Sequence, residues 1–379
     1  MNIENILKNN LEKKIDEKSI RILKSKSLKA DFCSNDYLGF SRSAKLSSVF
    51  SQTLLNSKKN IYGSTGSRLI SGNSQEIETL EKKLARYFEA ESALIFNSGY
   101  HANIGLLSSI ARKSDTIFYD ELSHASIRDG IRLSLAKSYS FKHNDSLDLR
   151  KKIENFGKNQ IFIVTEALFS MDGDFGKLKE LAEISEKLNA ALIVDEAHST
   201  GIIGDSGKGL AVSMNLEKII FARVHTFGKA LGCFGACVIG SEILRDYLIN
   251  NARSFIFTTA LPYFNLTAID CALDLLKESK EELEKLNRNI EIFRKHINEN
   301  IKPYFLDSTS AIHAFILPDN QKIKEVALIL NSKGLDVNAI LHPSVPKGKE
   351  RIRITLHSFN TEEEIINLLN SIYEIVKNL

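Results

Sequence analysis

Apolar residues recur along this chain with two different periods, and the switch between them outlines the fold. At the start, Ile3, Ile6, Leu7 and Leu11 fall on one side of a charged helix over residues 2–17. A polar loop, Ser34-Asn35-Asp36-Tyr37-Leu38-Gly39, follows. Farther on, Ile77, Leu80, Leu84 and Phe88 make the stripe of a second helix, with Asn73 as its expected cap and Glu76 three residues later. Short apolar runs then alternate with amphipathic stretches: Ala93–Phe96, Thr116–Tyr119, Ile161–Thr165, Ala191–Val194, Ile219–Val224 and Ala236–Ile239. That alternation predicts an α/β fold, a mostly parallel sheet with helices on both faces.

Past Pro262 two long helical patterns run over 263–300. Runs at Ile312–Leu317 and Ile352–Leu356, with a closing helix from Thr361, predict a smaller α+β domain. The expected organisation is an N-terminal arm (1–45), a large domain (46–285) and a small C-terminal domain (286–379).

Composition adds exclusions. The 379 residues are 43% hydrophobic and 26% charged, as in ordinary soluble globular proteins. With 50 basic against 47 acidic side chains there is no basic excess, so neither nucleic acid nor membrane is an expected partner. No apolar run reaches bilayer length, and the N-terminus, rich in Lys, Glu and Asn, has no signal-like apolar core. A reducing, cytoplasmic setting is expected. Cys33, Cys233, Cys237 and Cys271 show no CxxC spacing, and Cys233 and Cys237 are expected as buried reduced thiols.

In parallel α/β sheets, ligands bind beyond the carboxyl ends of the strands. Ser98, Asp120, His124, Glu166, Asp195 and Lys229 all follow predicted strands. Asp195 closes the run Ala191-Leu192-Ile193-Val194, where a lone carboxylate needs a cationic partner. A protonated ring nitrogen would serve, as would an Arg, a Lys or the start of the next helix. Lys229 lies in Thr226-Phe227-Gly228-Lys229-Ala230, whose small residues allow close approach of a ligand, although a surface lysine in a Gly-rich turn is the commoner case. A partly desolvated lysine beside a cation is a nucleophile and then a base. Asn97-Ser98-Gly99-Tyr100 joins a strand to a helix whose free N–H groups suit an anion, and Thr226, Thr258 and Thr259 can add hydroxyls. His124 can stack on a ring or simply cap a helix. Glu166, Ser170 and Asp172 follow another strand, with no His or Cys at metal-ligand spacing, so no metal is expected. Asp195-Glu196-Ala197-His198 spells a helicase-type string, but the chain has no upstream GxxxxGK[ST] phosphate loop, which excludes that reading. An aldehyde-capturing amine with a carboxylate for a ring nitrogen is what pyridoxal 5'-phosphate (PLP) chemistry asks of a protein.

The ordered strings SNDYLGF (34–40), GSTGSRLISGNS (63–74), FNSGYHANIG (96–105), DELSHAS (120–126), TEALFSMDGD (165–174), VDEAHSTG (194–201), HTFGKALG (225–232), FIFTTALP (255–262) and RIRITL (351–356) resemble the α-oxoamine synthase family. These are PLP-dependent transferases of fold type I, and the match spans nearly the whole chain. The resemblance implies Lys229 as the lysine that binds PLP, Asp195 as partner of its ring nitrogen and His124 as the stacking residue. It implies His198 and Ser170 at the phenolic oxygen, with Glu166 beside them. Ser98, Gly99, Tyr100 and Thr226 would hold the phosphate, with Thr258 and Thr259 from the second subunit of a homodimer. Asn35 and Arg353 would hold the amino acid's carboxylate, Arg351 being the alternative, and Arg21 would face the acyl carboxylate.

The implied activity is a decarboxylative condensation of an amino acid with an acyl thioester. Leu341-His342-Pro343-Ser344-Val345-Pro346-Lys347-Gly348 looks most like the member that joins L-alanine to a pimeloyl thioester in biotin synthesis. His313 and the stretch Leu356-His357-Ser358-Phe359-Asn360 depart from that member's pattern, on what is expected to be the acyl side. Glycine C-acetyltransferase, 5-aminolevulinate synthase and serine palmitoyltransferase remain open within the family, as does a non-catalytic scaffold subunit. Lys24, Lys26, Lys29, Lys347 and Lys349 could meet the negative charge of coenzyme A or of an acyl carrier protein.

Overall fold

A computed structural model of the chain describes residues 2–23, 30–57, 59 and 62–378. Lys24, Lys26 and Lys29 lie outside the described residues. The chain divides into two compact units, one of Leu38–Ser170 with Phe175–Leu283, the other of Met1–Tyr37 with Met171–Asp174 and Glu284–Leu379.

The larger unit is built on a seven-stranded sheet. Its spatial order is Ser92–Phe96, Ala236–Gly240, Ala222–Thr226, Ala191–Asp195, Ile161–Glu166, Thr116–Asp120 and Lys137–Phe141. Only Ala236–Gly240 runs antiparallel to its neighbours. The six expected runs all become strands. Ile219–Val224 shifts to Ala222–Thr226, because Ile219 and Ile220 are spent on a turn over Leu216. Lys137–Phe141 escapes the hydrophobic pattern. It is an edge strand paired on one side, so its Lys-Ser-Tyr-Ser stretch need not be buried.

Alternation along the strands feeds two separate cores. Phe162, Val164, Ile193, Ala222 and Val224 face Leu106, Leu107, Ile127, Ile131, Leu244 and Leu248. Ile163, Leu192 and Val194 face Leu149, Ile153, Leu181 and Ile184 on the other side. The first face is covered by helices Gly99–Ile110, Ala125–Ser134 and Glu242–Asn251, the second by Ser146–Phe156 and Leu178–Leu188. Helix Gln75–Tyr87 buries Ile77, Leu80 and Leu84, and Phe88 at its end is buried too. Its cap is Ser74, accepting from the Ile77 N–H at 3.4 Å, rather than Asn73. The Asn73 side chain is engaged by Arg68 Nε at 2.8 Å and Glu78 Oε1 at 2.7 Å.

The smaller unit carries a three-stranded antiparallel sheet in the order Asn338–Ile340, Arg351–Thr355, Ile312–Ile316. Its closing helix Glu362–Lys377 starts with a full capping box between Thr361 and Glu364. Helix Ile3–Asp16 forms as expected, yet none of its residues is buried. His313 and His357, expected on the acyl side, are both buried in this unit. His313 is buried and stacks on Phe293 at 4.3 Å, while His357 is buried among Asp31, Ser34 and Asn360.

All four cysteines are free thiols. Cys237 is buried as expected, and Cys233, although half-buried, has its thiol pushed up to about 12 by loss of solvent. Among the described residues no helix is long and apolar enough to cross a membrane.

Candidate active site

Strand parity gathers the chemistry of the larger unit on one face. Residues two apart point the same way. Glu166 therefore continues the line of Phe162 and Val164, Asp195 that of Ile193, and Thr226 that of Ala222 and Val224. These three buried polar residues end three adjacent parallel strands, on the side covered by helix Gly99–Ile110. Asp120 has the opposite parity, sharing the face of Phe118, and is consumed locally. Its carboxylate takes the Leu122 N–H at 2.9 Å, the Asn144 N–H at 2.9 Å and His143 Nδ1 at 2.9 Å.

The Asp195 carboxylate is fixed at both oxygens. Oδ2 accepts from Asn103 Nδ2 at 2.7 Å and Oδ1 from the Ala197 N–H at 2.8 Å. The same Asn103 nitrogen donates to Ser126 Oγ at 3.0 Å, which meets His124 Nδ1 at 2.7 Å. His124 caps helix Ala125–Ser134, and its own N–H donates to Glu166 Oε1 at 2.6 Å. Burial holds the Glu166 carboxyl up at about 8, and the nearby Asp195 charge adds to the rise. Burial likewise lowers the basicity of His124, with Lys229 adding to the effect and Asp195 opposing it. Lys229 and Asp195 thus act on the same imidazole and the same acid. Lys229 is half-buried in the turn after the Ala222–Thr226 strand. That turn is seated by Gly201 (φ 84°), where a Cβ would come within 2.6 Å of the Ala230 Cβ.

The anion-binding turn is also in place. Ser98 caps helix Gly99–Ile110, accepting from the His101 N–H at 3.3 Å. A Cβ on Gly99 would lie 3.6 Å from Thr226 Oγ1, so the turn and the threonine hydroxyl share one floor. Tyr100 is exposed and its hydroxyl donates to Asp129. Asn97 Nδ2 donates to Thr258 Oγ1 at 3.1 Å and to the Thr259 carbonyl at 2.9 Å, so Asn97 of the same chain holds this Thr-Thr segment. His198 is buried and Ser170 half-buried.

This donor set fits PLP. Helix-start N–H groups and hydroxyls suit a phosphate. A buried carboxylate suits a cationic ring nitrogen, and a half-buried amine suits an aldehyde.

Glu196, of the excluded helicase string, is structural. Its carboxylate accepts from the Leu210 N–H at 2.9 Å and the Ala211 N–H at 2.8 Å. Sequence reasoning passed over Asn103 and Ser126. The available signal was a polar Asn in the otherwise small or apolar buried stripe Ala102, Gly105, Leu106 and Leu107.

In the smaller unit Arg353 is buried. It donates to Asn35 Oδ1 at 2.8 Å and to Thr355 Oγ1 at 2.8 Å. Its charge also faces Tyr37, whose phenol burial pushes up to about 12. Arg351, two residues away on the same face, is spent on Asp172 and on the Met171 carbonyl at 3.1 Å. Arg21 is exposed and donates to Ser344 Oγ at 2.7 Å, and Lys347 and Lys349 are exposed.

Comparison with known proteins agrees with this chemistry. Residues 28–372 match the model of the family described as aminotransferase class I and II. The chain is 41% identical to an 8-amino-7-oxononanoate synthase of Emericella nidulans, over 95% of this chain and 92% of that one. Among solved structures, the 8-amino-7-oxononanoate synthase of Francisella tularensis superposes with a TM-score of 0.79 at 31% identity, covering 93% of this chain and 98% of its own. A serine palmitoyltransferase of S. paucimobilis with PLP and myriocin bound gives a TM-score of 0.87 at 26% identity, covering 98% of both chains.

Proposed function

We propose, for a chain that belongs to the aminotransferase class I and II family, the PLP-dependent acyl transfer for which its curated relatives are named: condensation of L-alanine with a pimeloyl thioester to 8-amino-7-oxononanoate, a step of biotin biosynthesis. In that reaction a C–C bond forms between the alanine α-carbon and the thioester carbonyl. The C–S bond breaks, and the alanine carboxylate leaves as carbon dioxide. The observation that carries the reading is the bonded chain from the Asp195 carboxylate through Asn103 and Ser126 to His124, the imidazole on which Lys229 also acts.

When bound, PLP supplies an electrophilic aldehyde and a cationic ring that draws electrons from a carbon attached through the amine. The chain's own residues then have the following tasks. Lys229 Nζ would hold the aldehyde and, as a free amine, would take the α-proton and return a proton to the product carbon. Asp195, held at both oxygens, would pair with the ring nitrogen. His124, its backbone anchored by Glu166, would line the ring. Ser98, the N–H groups of Gly99 and Tyr100, and Thr226 hold the phosphate, while His198 and Ser170 serve the phenolic oxygen. Asn35 and Arg353 hold the amino acid's carboxylate. Arg353 is preferred over Arg351 because the latter already neutralises Asp172.

We also propose a homodimer in which Thr258 and Thr259 serve the partner's phosphate. Leu69, Ile70 and Phe257 are exposed on segments joined by the bond from the Ala260 N–H to the Gly66 carbonyl at 2.9 Å. Such a cluster favours cover by a second copy. Mixed dimers of Lys229→Ala and Thr258→Ala chains test this. Recovery of activity above either parent is expected, and none overturns the shared site.

The substrate is tested by turnover with paired amino acids and thioesters. L-alanine with pimeloyl thioester is expected to exceed glycine with acetyl-CoA and serine with palmitoyl-CoA. The opposite ranking would reassign the enzyme within its family. Presenting the pimeloyl group on coenzyme A and on an acyl carrier protein in parallel decides the donor.

A further inference from the structure

Resting on the PLP reading above, the contact between helix Gly99–Ile110 and the sheet carries one more assignment. Asn103 and Ser126 are almost wholly buried, at 2% and 1% exposure, and Asn103 spends both amide hydrogens inside the site. Chemistry fixes the direction of each bond. An amide nitrogen only donates, so Asp195 Oδ2 and Ser126 Oγ both accept. Turning the amide round would set its oxygen against the Asp195 carboxylate, so the orientation follows from that charge. Ser126 Oγ, which accepts from Asn103, lies 2.7 Å from His124 Nδ1 and can donate its proton there. The Ser126 N–H reaches the same nitrogen at 3.2 Å. Nδ1 is therefore an acceptor twice over, and the single ring proton of a neutral imidazole sits on Nε2.

We propose that Asn103 is a positioning residue that sets two groups at once: through Ser126 it fixes His124 as the Nε2–H tautomer, and directly it anchors the Asp195 carboxylate. Without Asn103, the Ser126 hydroxyl is free to rotate away, and Nδ1 keeps only the Ser126 N–H at 3.2 Å to hold it as an acceptor. Asp195 Oδ2 in turn loses its neutral donor, and the carboxylate its fixed orientation. The two residues proposed to flank the PLP ring are thus set from one side chain behind them. Asn103 itself touches neither cofactor nor substrate in this assignment.

The test is ¹⁵N NMR of ring-labelled histidine in the full-length protein, first free of cofactor and then loaded with PLP, together with steady-state kinetics. In the unaltered protein His124 should show an acceptor-type Nδ1 and a protonated Nε2 in both forms. Asn103→Ala should move the His124 shifts toward a tautomer mixture. It should also lower kcat on the order of tenfold, as loss of an orienting partner does, with KM for the amino acid changed by less than about twofold. Ser126→Ala keeps the Asn103–Asp195 bond and removes the hydroxyl that links Asn103 to His124. It should shift the tautomer while leaving PLP affinity unchanged, and it carries the test if Asn103→Ala does not fold. A protonated Nδ1 in the unaltered protein, or His124 shifts that ignore both substitutions, overturns the proposal. Failure of the protein to take up PLP would instead defeat the cofactor reading, because the cofactor-free spectra report the tautomer independently.

Discussion

The Glu166 carboxyl group accepts the His124 backbone N–H at 2.6 Å, tying a buried acid to the residue that caps the next helix. Burial raises this carboxyl from 4.5 to about 8, so the folded chain binds its proton more tightly than the unfolded chain does. Wherever the native state holds more protons, stability falls as pH rises. The loss accumulates between the unfolded value near 4.5 and the folded value of about 8, by at most about 1.4 kcal/mol per pH unit. Thermal melts of the cofactor-free protein should therefore show Glu166→Gln gaining on the unaltered chain from pH 5 to pH 8. Parallel curves would refute the raised carboxyl.

Lys229 is half-buried beside His124 and Glu166, and no conservative side chain replaces its amine. Lys229→Ala should keep the fold by circular dichroism. It should lose the borohydride-fixable link to PLP and lower kcat by at least about a thousandfold, the scale of a lost proton-transfer group. Covalent trapping that survives in the variant would remove Lys229 from its assigned role.

Arg353 and Arg351 share a strand face but should fail differently. Arg353→Ala should raise the amino acid's KM by about thirtyfold, the equivalent of about 2 kcal/mol for a charged hydrogen bond, together with a fall in melting temperature as Asn35 and Thr355 lose their donor. Arg351→Ala strips Asp172 of its partner. It should cost about 1–3 kcal/mol of stability, because Arg351 is buried while Asp172 keeps some solvent, and leave KM nearly unchanged. Interchanged phenotypes would move the substrate carboxylate to Arg351.

Gly201 has a φ of 84°, and a Cβ there would lie 2.6 Å from the Ala230 Cβ. Gly201→Ala combines left-handed strain with overpacking, together about 2–4 kcal/mol. Because Ala230 adjoins Lys229, PLP affinity should fall along with the melting temperature. A variant with unchanged melting point and cofactor affinity would show that the Lys229 turn tolerates displacement.

Hydrophobic alternation alone located six of the seven strands in the large sheet, and with them the strand ends where Glu166, Asp195 and Lys229 are found. Periodicity reports burial, so it sees strands buried on both faces and misses the polar edge strand Lys137–Phe141. The apolar stripe of the Ile3–Asp16 helix was legible too, but nothing in the pattern told that its residues would stay unburied. Spacing within one segment also placed the Ser98 turn, because a helix start carries its free N–H groups wherever it occurs.

Tertiary structure decided which polar groups share a partner. Asp120 and Asp195 read alike as acids ending apolar runs, yet opposite faces of the sheet give one to His143 and the other to Asn103. Asn103, Ser126 and Asp195 come from three separate stretches of chain. His313 and His357 went to the interior of the smaller unit for the same reason. Local order along a chain fixes the period and parity of each element. Hydrogen bonds between distant residues exist only once elements have packed, and there the partners are chosen by distance rather than by spacing.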